Sequence, residues 1–184
     1  MNWSGLGTAS DEVVRKRINR APHPAVALGL PWLTIMFASM ASFSPIIASA
    51  PVLPPLSYLM LLAWRMLRPG MLPVWAGLPL GLFDDLYSGQ TFGSGILLWS
   101  VTMLVMEVLD ERFRWRGFAQ DWLAAATLTA GYLLICATLA GLATGYPLPA
   151  VILPQLLMAV MLYPAVTGLV AVLDRVRLLP LKRL

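Results

Sequence analysis

Between residues 77 and 95 the chain reads Gly-Leu-Pro-Leu-Gly-Leu-Phe-Asp-Asp-Leu-Tyr-Ser-Gly-Gln-Thr-Phe-Gly-Ser-Gly. Asp84 and Asp85 are adjacent carboxylates in an apolar setting, followed by Ser88, Gly89, Thr91, Gly93, Ser94 and Gly95. Small and hydroxyl-bearing residues in that order predict a tight, non-helical turn with free backbone amides. A carboxylate beside the start of a helix is favoured by the helix dipole. The residues leave three uses open. Asp85 can be a structural cap, accepting hydrogen bonds from the turn or from the amides that open the next helix. The pair can belong to a partner-binding surface, or to a proton or cation site of the kind transporters use. No second intramembrane acid or base stands ready to complete a relay.

Other residues able to do chemistry are few. The single histidine, His23, lies between prolines in Ala21-Pro22-His23-Pro24 and reads as a solvated or headgroup-level residue. The single cysteine, Cys136, lies in an apolar stretch, with no disulfide partner and no metal set around it. Glu107, Asp110, Glu111 and Asp121 form an acidic group interleaved with Arg112, Arg114 and Arg116. Mutual charge pairing in a solvated loop accounts for it, with Glu107 an interfacial charge beside Arg112. The chain offers no nucleophile–base pair, phosphate-cradling loop or metal-ligand cluster, so the expectation is a protein that is not an enzyme and carries no cofactor and no metal.

The elements that must position the aspartates are apolar helices. Of 184 residues, 59% are hydrophobic and 12% charged. Six long apolar stretches fall at about 25–47, 52–67, 71–87, 94–109, 122–143 and 150–173. Every one of the 13 lysines and arginines falls on one side of that six-span pattern. Arg15, Lys16, Arg17 and Arg20 precede the first span, and Arg65 and Arg68 follow the second. Arg112, Arg114 and Arg116 follow the fourth; Arg175, Arg177, Lys182 and Arg183 follow the sixth. Basic loops stay cytoplasmic on insertion, so both termini are expected inside. The reading is an all-α integral membrane protein with three parts: a cytoplasmic tail with a short basic helix at 1–24, a six-helix membrane domain at 25–174, and a basic cytoplasmic tail at 175–184. The net charge of +4 is explained by anchoring and attraction to anionic lipid in the bilayer, so no nucleic acid is expected as a partner. Ala48-Ser49-Ala50 resembles a signal cleavage site, but the preceding apolar run is too long and Pro51 follows directly; the helix is expected to be retained.

Within such a bundle, helices pack through small residues and dispersion contacts. Gly77 and Gly81 form one Gly-xxx-Gly pair, Gly141 and Gly145 another, each serving close contact within the bundle or against a partner. Span three, with Pro73 and Pro79, starts close enough to Asp85 that the carboxylate sits only about 20 Å across a core of about 30 Å. Span six is expected to be interrupted by Pro154 and Pro164. The ten methionines read mainly as bundle filling, and Trp32, Trp75, Trp115 and Trp122 as interfacial anchors.

The pattern Gly81-x-x-x-Asp85-x-x-x-Gly89-x-x-x-Gly93 inside a short third span of six resembles the MreD family of bacterial rod shape-determining proteins. Pro54 or Pro55 opening span two, the pair Tyr163-Pro164 in span six and the short basic C-terminal tail also fit that family. Asp85 takes the family's acidic position and Asp84 is an additional acid beside it. The resemblance implies a fold like that of the substrate-binding subunits of energy-coupling-factor transporters. It also implies a non-enzymatic scaffold or regulatory subunit of the cell-elongation machinery (the elongasome) in the bacterial inner membrane. The implied partners are MreC directly, and MreB, RodA and a class B penicillin-binding transpeptidase in the same peptidoglycan-synthesising complex. A groove beside spans three and four, using small residues, is the expected seat for the MreC helix. The competing function is a small-molecule-binding subunit of a membrane transporter, drawing on Asp84, Asp85, Tyr87, Gln90 and Tyr146. A lipid-modifying enzyme would have only the acidic group around Glu107 to work with.

Overall fold

The computed structural model describes residues 24–41, 54–88, 91–112, 117–144 and 149–177. The short basic helix expected at 11–20, Pro45, Gly89, Gly145 and the 178–184 tail lie outside the described residues. The described chain is all-helical: α1 Pro24–Ala41, α2 Leu56–Leu67, α3 Gly77–Tyr87, α4 Ser94–Arg112, α5 Phe118–Thr144 and α6 Pro149–Arg177, with a 3-10 turn at Val74–Ala76 before α3.

Proline placement sets several boundaries. Helix α2 begins only after Pro55, whose carbonyl accepts the Leu59 amide at 3.0 Å. The third apolar stretch, expected as one helix over 71–87, is instead broken. Pro73 is extended (ψ 152°), the 3-10 turn follows, and α3 proper is 11 residues. Pro79 sits in its first turn, where a missing N–H costs no helical bond.

Helix α6 corrects the expectation of an interruption, because it runs unbroken through both Pro154 and Pro164. Pro164 has no N–H to give the carbonyl four residues back, that of Val160. The Trp122 indole Nε1 on α5 donates to that oxygen at 3.1 Å. The unmade helical bond is thereby replaced by one that joins α5 to α6.

Helix α2 is the hub. All residues from Ser57 to Arg65 are buried, and α1, α5 and α6 pack around it. Trp64 Nε1 donates to Thr34 Oγ1 on α1 at 3.0 Å, and the Tyr163 hydroxyl on α6 donates to Met66 Sδ at 3.0 Å. The last turns of α2, α4 and α6 share one end of the bundle, where their charged residues meet. Helix α3 runs the other way, its last turn lying against the first turn of α2.

The outward faces of α1, α3, α4, α5 and α6 carry exposed apolar side chains. Phe37, Phe92, Leu123 and Met161 are among the most exposed side chains, Met161 at 82%. Phe118–Leu139 and Ile152–Arg177, within α5 and α6, are each long and apolar enough to cross a membrane.

Candidate functional site

Helices α3 and α4 meet backbone to backbone. A Cβ built on Gly77 would lie 2.8 Å from the Trp99 carbonyl oxygen and 2.9 Å from Ser100 Cα. One on Gly81 would lie 2.6 Å from the Gly95 oxygen, and one on Gly95 2.9 Å from the Gly81 oxygen. No side chain fits between them. The Gly77–Gly81 pair therefore serves contact within the bundle, against α4. Gly141 falls in α5, but its surroundings lie outside the described residues.

That close approach brings the Asp85 carboxylate over the start of α4. Its Oδ1 accepts the Gly95 amide at 2.8 Å, and its Oδ2 accepts the amides of Gly93 at 3.0 Å and Ile96 at 3.2 Å. These are among the amides a helix start leaves unbonded. The negative charge also faces the positive end of the α4 dipole. The turn is shaped for this. Gly93 has φ +94°, a conformation an L side chain rarely adopts, and the Thr91 carbonyl accepts both the Ser94 amide at 3.0 Å and its hydroxyl at 2.6 Å. The bonds that the turn was expected to offer Asp85 are thus made.

Asp84 faces the opposite way, into α2. It is 3% exposed, and the Ser57 hydroxyl donates to its Oδ1 at 2.7 Å. The Ser39 hydroxyl of α1 donates to the Ile35 carbonyl within its own helix at 3.4 Å. One turn inward the Tyr58 hydroxyl bonds Thr102 Oγ1 of α4 at 2.9 Å, and its ring stacks on Tyr132 of α5 at 4.2 Å. Adjacent acids therefore have separate tasks. Asp85 ties α3 to α4, and Asp84 ties α3 to α2.

The remaining predicted residues sit elsewhere. Tyr163 is buried against Met66 and Pro164 frees the carbonyl for Trp122, so that pair joins α6 to α2 and α5 at a distance from the aspartates.

At the opposite end Glu107 does not stand beside Arg112 as expected; it pairs with Arg65, whose side chain is only 2% exposed. Asp110 Oδ2 lies 3.2 Å from the same guanidinium. Arg68 donates to Asp174 Oδ2 from Nε at 3.0 Å and Nη2 at 2.7 Å, while Arg177 Nη2 reaches Asp174 Oδ1 at 2.9 Å. The Asp174 carboxylate raises the Arg68 ionisation above its ordinary value by hydrogen bonding and charge. Ser57 and Asp174 were missed in the sequence. Each carries a weak local signal: a serine just after a proline pair, and one acid three residues before an arginine in a basic stretch.

No protein-family model, no curated protein and no solved structure matches the chain. Among the described residues there is no group of three or more His, Cys, Asp or Glu placed to hold a metal ion. What the geometry does chemically is join helices. Asp85 accepts three amides, and Asp84 is held by the Ser57 hydroxyl.

Proposed function

We propose that this chain is a six-span membrane scaffold of the MreD family, with both termini in the cytoplasm. It binds MreC and supports the elongation complex, containing MreB, RodA and the transpeptidase, without catalysing a reaction itself. The observation that carries the reading is the Asp85 clasp. Gly81, Asp85 and Gly93, three of the four residues of the motif on which the resemblance rests, act together to join the short third helix to the fourth.

Two further features favour it. Apolar side chains lie exposed along the helices packed around α2, far beyond the patches monomeric soluble proteins tolerate. The arginines at the ends of α2, α4 and α6 gather at one end, the arrangement expected if α1 to α6 all cross the bilayer. The transporter-subunit alternative draws on Asp84 and Asp85, and both carboxylates are engaged in bonds between helices.

The test is depletion combined with purification. Loss of the protein should convert rods to round cells, and MreC should co-purify with the tagged chain. Retained rod shape with no MreC recovered would refute the proposal. A vitamin-sized molecule retained by the purified protein at nanomolar affinity would favour the transport reading. Cysteines introduced at Asn2 or Arg183 should resist impermeant reagents in intact cells; labelling of either position overturns the topology.

A further inference from the structure

The charged end of the bundle has two unlike corners. Among the described residues, Glu107, Asp110 and Glu111 near the end of α4 outnumber Arg65 and Arg112. Where α2 ends beside α6, the balance is reversed. Arg68 and Arg177 both pair with one acid, Asp174, and Arg175 follows it in sequence.

The second corner is a built arrangement. Asp174 is 5% exposed and holds Arg68 on one oxygen and Arg177 on the other, so one buried negative charge orients two guanidinium groups. The turn from Arg68 to Met71 is closed by the Met71 amide on the Arg68 carbonyl at 3.2 Å, with Gly70 at φ +82°. It also brings the Met71 thioether onto the Arg177 guanidinium. Arg68 itself is half exposed, its side chain at 48%. Asp174 engages only its Nε and one Nη2 hydrogen, leaving Nη1 and the other Nη2 hydrogen for an outside acceptor. Leu67, Trp75 and Val176, on the adjoining segments, are exposed and apolar.

We propose that Arg68, oriented by Asp174 and backed by the buried charge of Arg177, binds the phosphate of an anionic phospholipid of the cytoplasmic leaflet. A guanidinium with two free donors matches phosphate oxygens bidentately. The surplus positive charge suits the anionic lipid surface, and the apolar residues alongside accept the acyl chains. The site rests on the membrane-spanning reading above.

Native mass spectrometry of the purified chain tests it, using mixed micelles of detergent with equal phosphatidylglycerol and phosphatidylcholine. The wild-type protein should retain phosphatidylglycerol preferentially, a measurement that needs no variant. Arg68→Gln should weaken that retention about five-fold, the effect of one basic residue at an anionic surface. Arg112→Gln removes the same charge from the other corner and should leave retention unchanged. Equal retention of the two lipids overturns the site, as does an Arg112→Gln loss matching that of Arg68→Gln. Displacement of the lipid by millimolar inorganic phosphate would assign the site to a free anion instead. A purified chain that stays monodisperse without detergent would refute the membrane reading itself, and the lipid site with it.

Discussion

Gly81→Ala is the sharpest single perturbation of this fold. The added methyl would sit 2.6 Å from the Gly95 carbonyl oxygen and 2.9 Å from Ile96 Cα, whereas ordinary contact begins at 3.4 Å. Both obstacles are backbone, so no rotamer change relieves them, and α3 and α4 must separate by about 0.8 Å, the difference between those distances. Overpacking of this kind costs about 1–3 kcal/mol. The separation also acts on the Asp85 clasp. Its bonds of 2.8, 3.0 and 3.2 Å would lengthen towards or beyond the hydrogen-bonding limit. Loss of one bond to a charged acceptor adds about 1.5–3 kcal/mol, for a total of about 2.5–6 kcal/mol. Gly168→Ala on α6 is the control, since a Cβ there meets nothing within 4 Å. Its helical propensity should gain up to about 1 kcal/mol. Reversible denaturant unfolding in micelles, followed by tryptophan fluorescence, gives both values by linear extrapolation. If Gly81→Ala proves no less stable than Gly168→Ala, the α3–α4 contact has been misread.

Further outcomes follow from the same contacts. Asp85→Asn keeps the shape but loses the charge that three amides share, and should lower unfolding free energy by about 2–3 kcal/mol in the same assay. Tyr58→Phe removes the Thr102 bond while keeping the Tyr132 stack and should cost about 1 kcal/mol, with Tyr58→Leu costing more. Arg65→Met leaves Glu107 and Asp110 without their shared cation; adding Glu107→Gln and Asp110→Asn should recover part of the lost stability, a coupling measurable in a mutant cycle. For Arg68, whose ionisation is raised by Asp174, the paired form persists below the ordinary arginine value and is lost only at extreme alkalinity. The stability difference between wild type and Arg68→Gln should therefore stay constant between about pH 6 and pH 9.

Where sequence and structure agree, a local rule is responsible. The small residues after Asp85 favour a turn, and a turn leading into a helix exposes amides that a preceding carboxylate can reach. The Asp85 clasp was therefore among the three uses legible in the spacing, beside a partner surface and an ion site. The broken third stretch was not legible, although Pro73 carried the signal. An apolar run scored for hydropathy says how greasy a segment is, and says nothing of where its backbone stops being helical. Pro154 and Pro164 show the opposite error. Proline was expected to interrupt α6, yet the helix continues through both, and at Pro164 a tryptophan on another helix takes the orphaned carbonyl.

The amino-acid order by itself determined that the described chain is helical, that basic residues recur at alternate connections, and that backbone amides would lie near Asp85. These depend on intervals of a few residues, within which chain geometry leaves little choice. Only the tertiary structure decided that the glycine pair is covered by α4, that Asp84 turns to Ser57, and that Arg65 and Asp174 are buried partners of distant charges. Those pairings join residues 27 to 106 positions apart. Such distances are closed by how helices pack around α2, a property of shape complementarity that no local interval encodes.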